Sequence, residues 1–101
     1  MRDQTARDSR RAGILVLDPT DNVGVALTAL VAGEEGLAGD CTIRIREDIP
    51  VGHKIALVDI AVGGDVLKYG EVIGAATDRI LRGDHAHVHN MIGIRAGQAA
   101  W

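Results

Sequence analysis

Ile49-Pro50-Val51-Gly52-His53-Lys54-Ile55-Ala56-Leu57 and Ile80-Leu81-Arg82-Gly83-Asp84-His85-Ala86-His87-Val88 are two versions of one pattern. Each opens on Ile-x-x-Gly and runs into an alternating, strand-like segment. Ile60-Ala61-Val62-Gly63, followed by Val66, is a partial third copy. A glycine at a fixed place in a short turn supplies a positive φ that a side chain would penalise. Turn plus short strand, repeated, predicts a small folded-ribbon β domain. The strands are too short and the helix signals too few for a βαβ sheet.

Outward from this pattern the chain reads simply. Residues 1–12 are polar and aperiodic, which predicts a disordered arm; residues 13–95 form the domain, and 96–101 a tail. Gly13 to Leu17 is a strand-like run stopped by Asp18-Pro19. Residues 21–32 carry the one helix signal, with Asp21 as N-cap, Val23, Leu27, Leu30 and Val31 on one face, and Gly33 as terminator. The segment 33–40 reads as a mobile loop. Thr42 to Arg46 alternates as a half-buried strand should.

Composition narrows the function. The chain has 101 residues, room for one core and no second. With no Phe, one Tyr and one Trp, that core is aliphatic and ligand recognition is polar. A net charge of −3 disfavours nucleic acid. The basic run Arg2, Arg7, Arg10 and Arg11 is interleaved with Asp3 and Asp8 and reads as a solvated arm. No secretory or membrane-length apolar run is present, and a single cysteine fits the reducing cytoplasm. Cys41 reads as a packed thiol, Tyr69 as the one large core anchor.

Chemistry concentrates in Gly83-Asp84-His85-Ala86-His87-Val88-His89-Asn90. Strand alternation aligns His85, His87 and His89 on one face. At roughly 6.5–7 Å between i and i+2, and about 13 Å between i and i+4, His85 with His87 or His87 with His89 can share an ion, but not all three. Imidazole serves both as a metal ligand and as a proton carrier near neutral pH. His85 and His87 are therefore the expected catalytic and metal-binding pair, and His89 and Asn90 the expected contacts to substrate or to a partner's interface. Two ligands do not complete a site, so the rest are expected from a partner or water. Lys54 is placed to meet a carboxylate, whereas His53 reads as turn structure. Gly52, Gly63, Gly70, Gly74 and Gly83 read as structural.

Four of these pieces in order carry a resemblance. The turn Ile49–Lys54, the segment Lys68-Tyr69-Gly70-Glu71-Val72-Ile73-Gly74, the histidine strand Gly83–Asn90 and the early Asp21-Asn22-Val23 match a known pattern. The chain resembles the SAF domain, a β-clip fold, of the altronate/galactarate dehydratase family, from about Asp18 to Ile92. The resemblance implies a mainly β domain, here with one short helix near residues 21–32. It further implies a divalent metal (Fe2+, Mn2+ or Mg2+), a large catalytic subunit as partner and a small polar hydroxy acid as substrate. Asp21 and Asn22 join the substrate-binding candidates through this match.

Such enzymes dehydrate sugar acids to 2-keto-3-deoxy acids, and a close relative splits sulfolactate into pyruvate and sulfite. A small subunit of either kind is expected to bind metal weakly and to be inactive alone. A non-catalytic binding module of the same fold is the alternative from another class. An edge-rich β domain is also compatible with self-association.

Overall fold

The computed structural model describes residues 12–93. The expected arm and tail lie largely outside the described residues, as does Trp101. Nine strands form two sheets: β1 (Ala12–Leu15), β2 (Val23–Ala26), β3 (Glu35–Ala38), β4 (Cys41–Arg44), β5 (Lys54–Ala56), β6 (Asp65–Lys68), β7 (Glu71–Ala76), β8 (His85–Ala86) and β9 (Met91–Gly93). The larger sheet runs β4-β3-β1-β2-β5-β8, the smaller β6-β7-β9. Among the described residues, only β1 and β3 pair in parallel. The domain is mainly β, as its turns and alternation imply.

The repeat is real and deeper than its sequence suggests. Gly33, Gly52, Gly63 and Gly83 all have φ between 83° and 93°, so Leu30-Val31-Ala32-Gly33 is a fourth copy. The copies pair two by two, through antiparallel bridges Leu30–Ile49 and Ile60–Ile80. In each pair the glycine N–H reaches across to the other arm: Gly33 to the Ile45 carbonyl, Gly52 to Ala26, Gly63 to Ala76 and Gly83 to Ala56. Asp48 caps the Ala32 amide of one pair, and Asp59 the Arg82 amide of the other. The chain is thus two similar units laid against each other.

Each unit has its own aliphatic core. Ile14, Ala26, Leu30, Ala38, Ile43, Ile45, Ile49 and Ile55 form one cluster. Val23, Ala56, Ile60, Val66, Ala76, Ile80, Ala86 and Met91 form the other. In β5, Ile55 enters the first and Ala56 the second, because adjacent residues of a strand face opposite sides.

The expected helix at 21–32 does not form; no helix occurs among the described residues. Its supposed apolar face is divided, with Val23 in one core, Leu30 in the other, and Leu27 and Val31 about half exposed. Gly24 faces the Ile14 side chain and the Leu15 carbonyl so closely that a Cβ would clash with both, so β2 seats tightly between β1 and β5. Twelve residues make only a marginal helix alone, and ladder bonds on both edges outcompete it. The expected mobile loop at 33–40 is instead β3 and its turn into β4. Gly36 lies under Ile14, whose side-chain tip a Cβ there would displace. Thr42 to Arg46 keeps its alternation, with Ile43 and Ile45 buried and their neighbours exposed.

Two polar side chains, buried Asp21 and half-buried Asn22, join the sheets. Asp21 is not a helix cap: its carboxylate accepts from the amides of Tyr69 (3.0 Å) and Gly70 (2.8 Å). These two residues form the β6–β7 turn, both with positive φ, 59° and 72°, the form that a two-residue hairpin favours. Asn22 donates to the Asp65 carbonyl and accepts from the Leu67 amide. Tyr69, expected in the core, is 65% exposed, because its left-handed backbone turns the side chain outward. Cys41, expected to be packed, is exposed at the start of edge strand β4.

A tyrosine in the left-handed region is strained by about 1 kcal/mol relative to asparagine. Tyr69→Asn should therefore raise stability in urea unfolding, whereas Asp21→Ala, which strips both amides of their acceptor, should lower it by about 2 kcal/mol. Opposite signs would refute the clamp.

Candidate functional site

Register brings the histidines together. Strand β5 pairs antiparallel with β8, Lys54 opposite Ala86 and Ile55 opposite His85. The next pair along is His53 opposite His87, and their rings stack with centroids 4.3 Å apart. His53 Nδ1 lies 2.9 Å from His85 Nε2. That contact requires one nitrogen to carry the proton and the other to be bare, so both rings cannot be cationic in it.

The expected strand through Asn90 is cut short. β8 has only two residues, and the chain then turns, with the Asn90 and Met91 amides both donating to the His87 carbonyl. The Asn90 side chain closes this loop, donating to the His85 carbonyl at 2.8 Å and accepting from the His87 amide at 2.9 Å. The turn folds His89 back until its ring is 5.2 Å from that of His85. An extended strand would have kept these two far apart. His85 thus touches His53, His87 and His89.

Two residues that the sequence reading passed over complete the cluster. His53, read as turn structure, is a central member; its position at the start of an alternating segment was the available signal. Glu47 accepts from the His85 amide at 3.0 Å. Its segment is fastened by the Arg46 amide to the Gly83 carbonyl and by Arg46 Nε to Asp84 Oδ1 at 2.7 Å. Nothing local in the sequence marks Glu47, since the contact spans 38 positions. Gly83 is also fixed by contact: a Cβ there would strike the Arg44 carbonyl.

Donor atoms fall into two overlapping sets, each within 4.8 Å: His53, His85 and His87, and Glu47, His85 and His89. His87 and His89, one of the pairs expected from spacing, do not share a set. Further ligands are expected from a partner or water; within the chain itself, His53 stands in one set with His85 and His87.

Electrostatics favour the neutral form of His85 and His87. Burial lowers the affinity of His85 for a proton, as do the neighbouring His53, His89 and His87, while Glu47 opposes this. His87 is likewise lowered by burial, His53, Lys54 and His89. Lys54 is only 3% exposed, and burial, with the charge of Lys68, lowers its pKa to about 8. Lys54 therefore belongs with the cluster. Asp21 and Asn22 do not join it; their side chains hold the hairpin that carries Lys68.

A mainly β domain that gathers imidazoles and a buried lysine at one sheet edge narrows the field of proteins. The profile "Altronate/galactarate dehydratase SAF domain" matches residues 12–93, and the chain belongs to that family. It is 49% identical over 70 residues to the altronate dehydratase of Escherichia coli (strain K12), covering 69% of this chain but 14% of that protein. Identity to the (2R)-sulfolactate sulfo-lyase subunit alpha of Chromohalobacter salexigens is 37% over 84 residues, covering 76% of this chain and 89% of the relative. With the galactarate dehydratase (L-threo-forming) of E. coli (strain K12) it is 41% over 68 residues, 12% of that protein. The chain thus spans about one-seventh of the dehydratases it matches. No helix among the described residues is long and apolar enough to cross a membrane.

Two measurements check the electrostatics. The Lys54 Nζ should titrate by NMR with a midpoint near 8, and Lys68→Gln should raise it, because one of two causes is removed while burial stays; a midpoint at the ordinary 10.5 contradicts the reading. For His85 and His87 the unfolded chain takes up protons near 6.5, before the native state does. Stability should therefore fall as pH is lowered through that value and below. Urea midpoints at decreasing pH should show the decline, and His85→Gln should flatten it.

Proposed function

We propose that this chain is the SAF-domain subunit or module of a metal-dependent hydroxy-acid lyase whose active site a large subunit completes. The substrate class is a 2,3-dihydroxy sugar acid of the altronate or galactarate type, losing water to give a 2-keto-3-deoxy acid. One observation carries the reading: His53, His85 and His87 converge beside buried Lys54. Membership of a family whose curated relatives are dehydratases and a sulfo-lyase subunit supports it.

Elimination removes the proton on C2, breaks the bond from C3 to its hydroxyl, and leaves an enol that tautomerises to the ketone. A neutral imidazole of the His85–His87 pair is the base, and the resulting imidazolium can return a proton to the departing hydroxide. The lowered proton affinity of both rings keeps them in the base form near neutral pH. Lys54, largely protonated there, meets the substrate carboxylate, and exposed His89 offers a contact to its hydroxyls. Asn90 acts by holding the loop that aims His85 and His87.

Three imidazole donors suit a late first-row divalent ion such as Fe2+ better than Mg2+. His53, His85 and His87 are the residues that could hold it; whichever ring of the His85–His87 pair acts as base keeps its bare nitrogen for the C2 proton and leaves the ion to the other two. Such an ion, when bound, supplies charge stabilisation for the developing enediolate.

A second reading, the small subunit of a (2R)-sulfolactate sulfo-lyase, is supported by the 89% coverage of that relative's alpha subunit. The same residues would remove the C2 proton, with sulfite leaving from C3.

Co-purification with a candidate large subunit, then assays on altronate, galactarate and sulfolactate with Fe2+ or Mn2+, tests both. Activity should need both chains and fall by about 100-fold or more in His85→Gln and His87→Gln. Full turnover by this chain alone, or activity indifferent to both substitutions, overturns the reading.

A further inference from the structure

We infer a second cation position on this chain, formed by Glu47, His85 and His89 and exclusive with the three-imidazole position. It rests on the preceding reading only through the shared His85. Neither Glu47 nor His89 belongs to the other set.

The site is preassembled. The donor atoms of Glu47, His85 and His89 lie within 4.8 Å of one another. Glu47 is oriented by the His85 amide at 3.0 Å, and its backbone neighbour Arg46 is tied to Gly83 and Asp84. His89 is returned to His85 by the turn that Asn90 closes. The carboxylate and the two rings therefore face one volume without rearrangement of the backbone. His89 is exposed, which leaves this position open to water and ions.

Exclusion follows from the chemistry of one ring. A neutral imidazole has a single bare nitrogen, so His85 serves one cation at a time. Its partners then decide which. His53 and His87 complete an all-nitrogen set; Glu47 and His89 complete a two-histidine, one-carboxylate set. The oxygen donor suits Mn2+, and the all-imidazole set suits Fe2+ or Zn2+. The identity of the ion should therefore decide which side of His85 is used.

The test is metal titration of the chain with Mn2+ alone and with Zn2+ alone, by calorimetry and by NMR of backbone amides. Glu47→Gln keeps an oxygen for the His85 amide, and His89→Gln alters an exposed residue, so both should fold. Each should weaken Mn2+ binding at least about tenfold and leave Zn2+ binding within about twofold of wild type. His53→Gln and His87→Gln should do the reverse, and His85→Gln should weaken both. Bound Mn2+ should broaden the amides of Glu47 and His89 more than those of His53 and His87.

Unchanged Mn2+ affinity in Glu47→Gln and His89→Gln overturns the second position, as does dependence of both ions on the same residues. Failure of the three-imidazole reading has a separate signature: Zn2+ affinity indifferent to His53→Gln and His87→Gln.

Discussion

The site depends on the register between β5 and β8. Two hydrogen bonds pin it, from the Gly83 amide to the Ala56 carbonyl and from the Ala56 amide to the Asp84 carbonyl. With Ile55 opposite His85, His53 meets His87 and the ring cluster closes. A slip by one residue would turn every side chain of β5 to the other face. Lys54 and Ile55 would then exchange surroundings, putting an ammonium into the first aliphatic core. The packing of Ile55 among Ile14, Leu30 and Ile49 thus enforces the geometry of the polar site.

The two-unit construction explains why so small a chain can hold such a cluster. Each unit has a pair of glycine turns bridged back to back and its own aliphatic core, and the larger sheet runs through both. The histidines collect at the joint, His53 from a turn of the first unit and His85 just after a turn of the second. Glu47 comes from the first unit's other arm. Buried Asp21 and half-buried Asn22 perform the same joining task for the smaller sheet, and their hydrogen bonds hold the hairpin that carries Lys68. Positive charge is thereby concentrated near rings that burial already keeps neutral. On the proposed function, bare nitrogens would take the metal ion and lysine the anionic substrate.

Several readings of the sequence survive in the structure for stated reasons. The Ile-x-x-Gly repeat is legible because a turn glycine with positive φ is nearly irreplaceable and its isoleucine must be buried. The histidine-rich segment is legible as a place where imidazoles gather, and their rings do stand together in the fold. The helix at 21–32 is misread for an equally physical reason. Val23, Leu27, Leu30 and Val31 have helical spacing, yet short segments follow their neighbours' hydrogen bonds. That error concealed the fourth turn, Leu30 to Gly33. Tyr69 misleads by composition, since a lone aromatic suggests a core that the left-handed turn denies it.

Local sequence therefore determined the β character, the glycine turns and the richest stretch of candidate chemistry, because φ preference and alternation act over a few residues. Tertiary structure alone decided that His53 and Glu47 join that stretch, that His89 returns to His85, and that Asp21 and Asn22 serve a hairpin. Apart from the local turn that returns His89, those outcomes depend on contacts spanning about 30 to 50 positions. Strand register and the division of apolar side chains between two cores set such contacts, and no short window of sequence contains them.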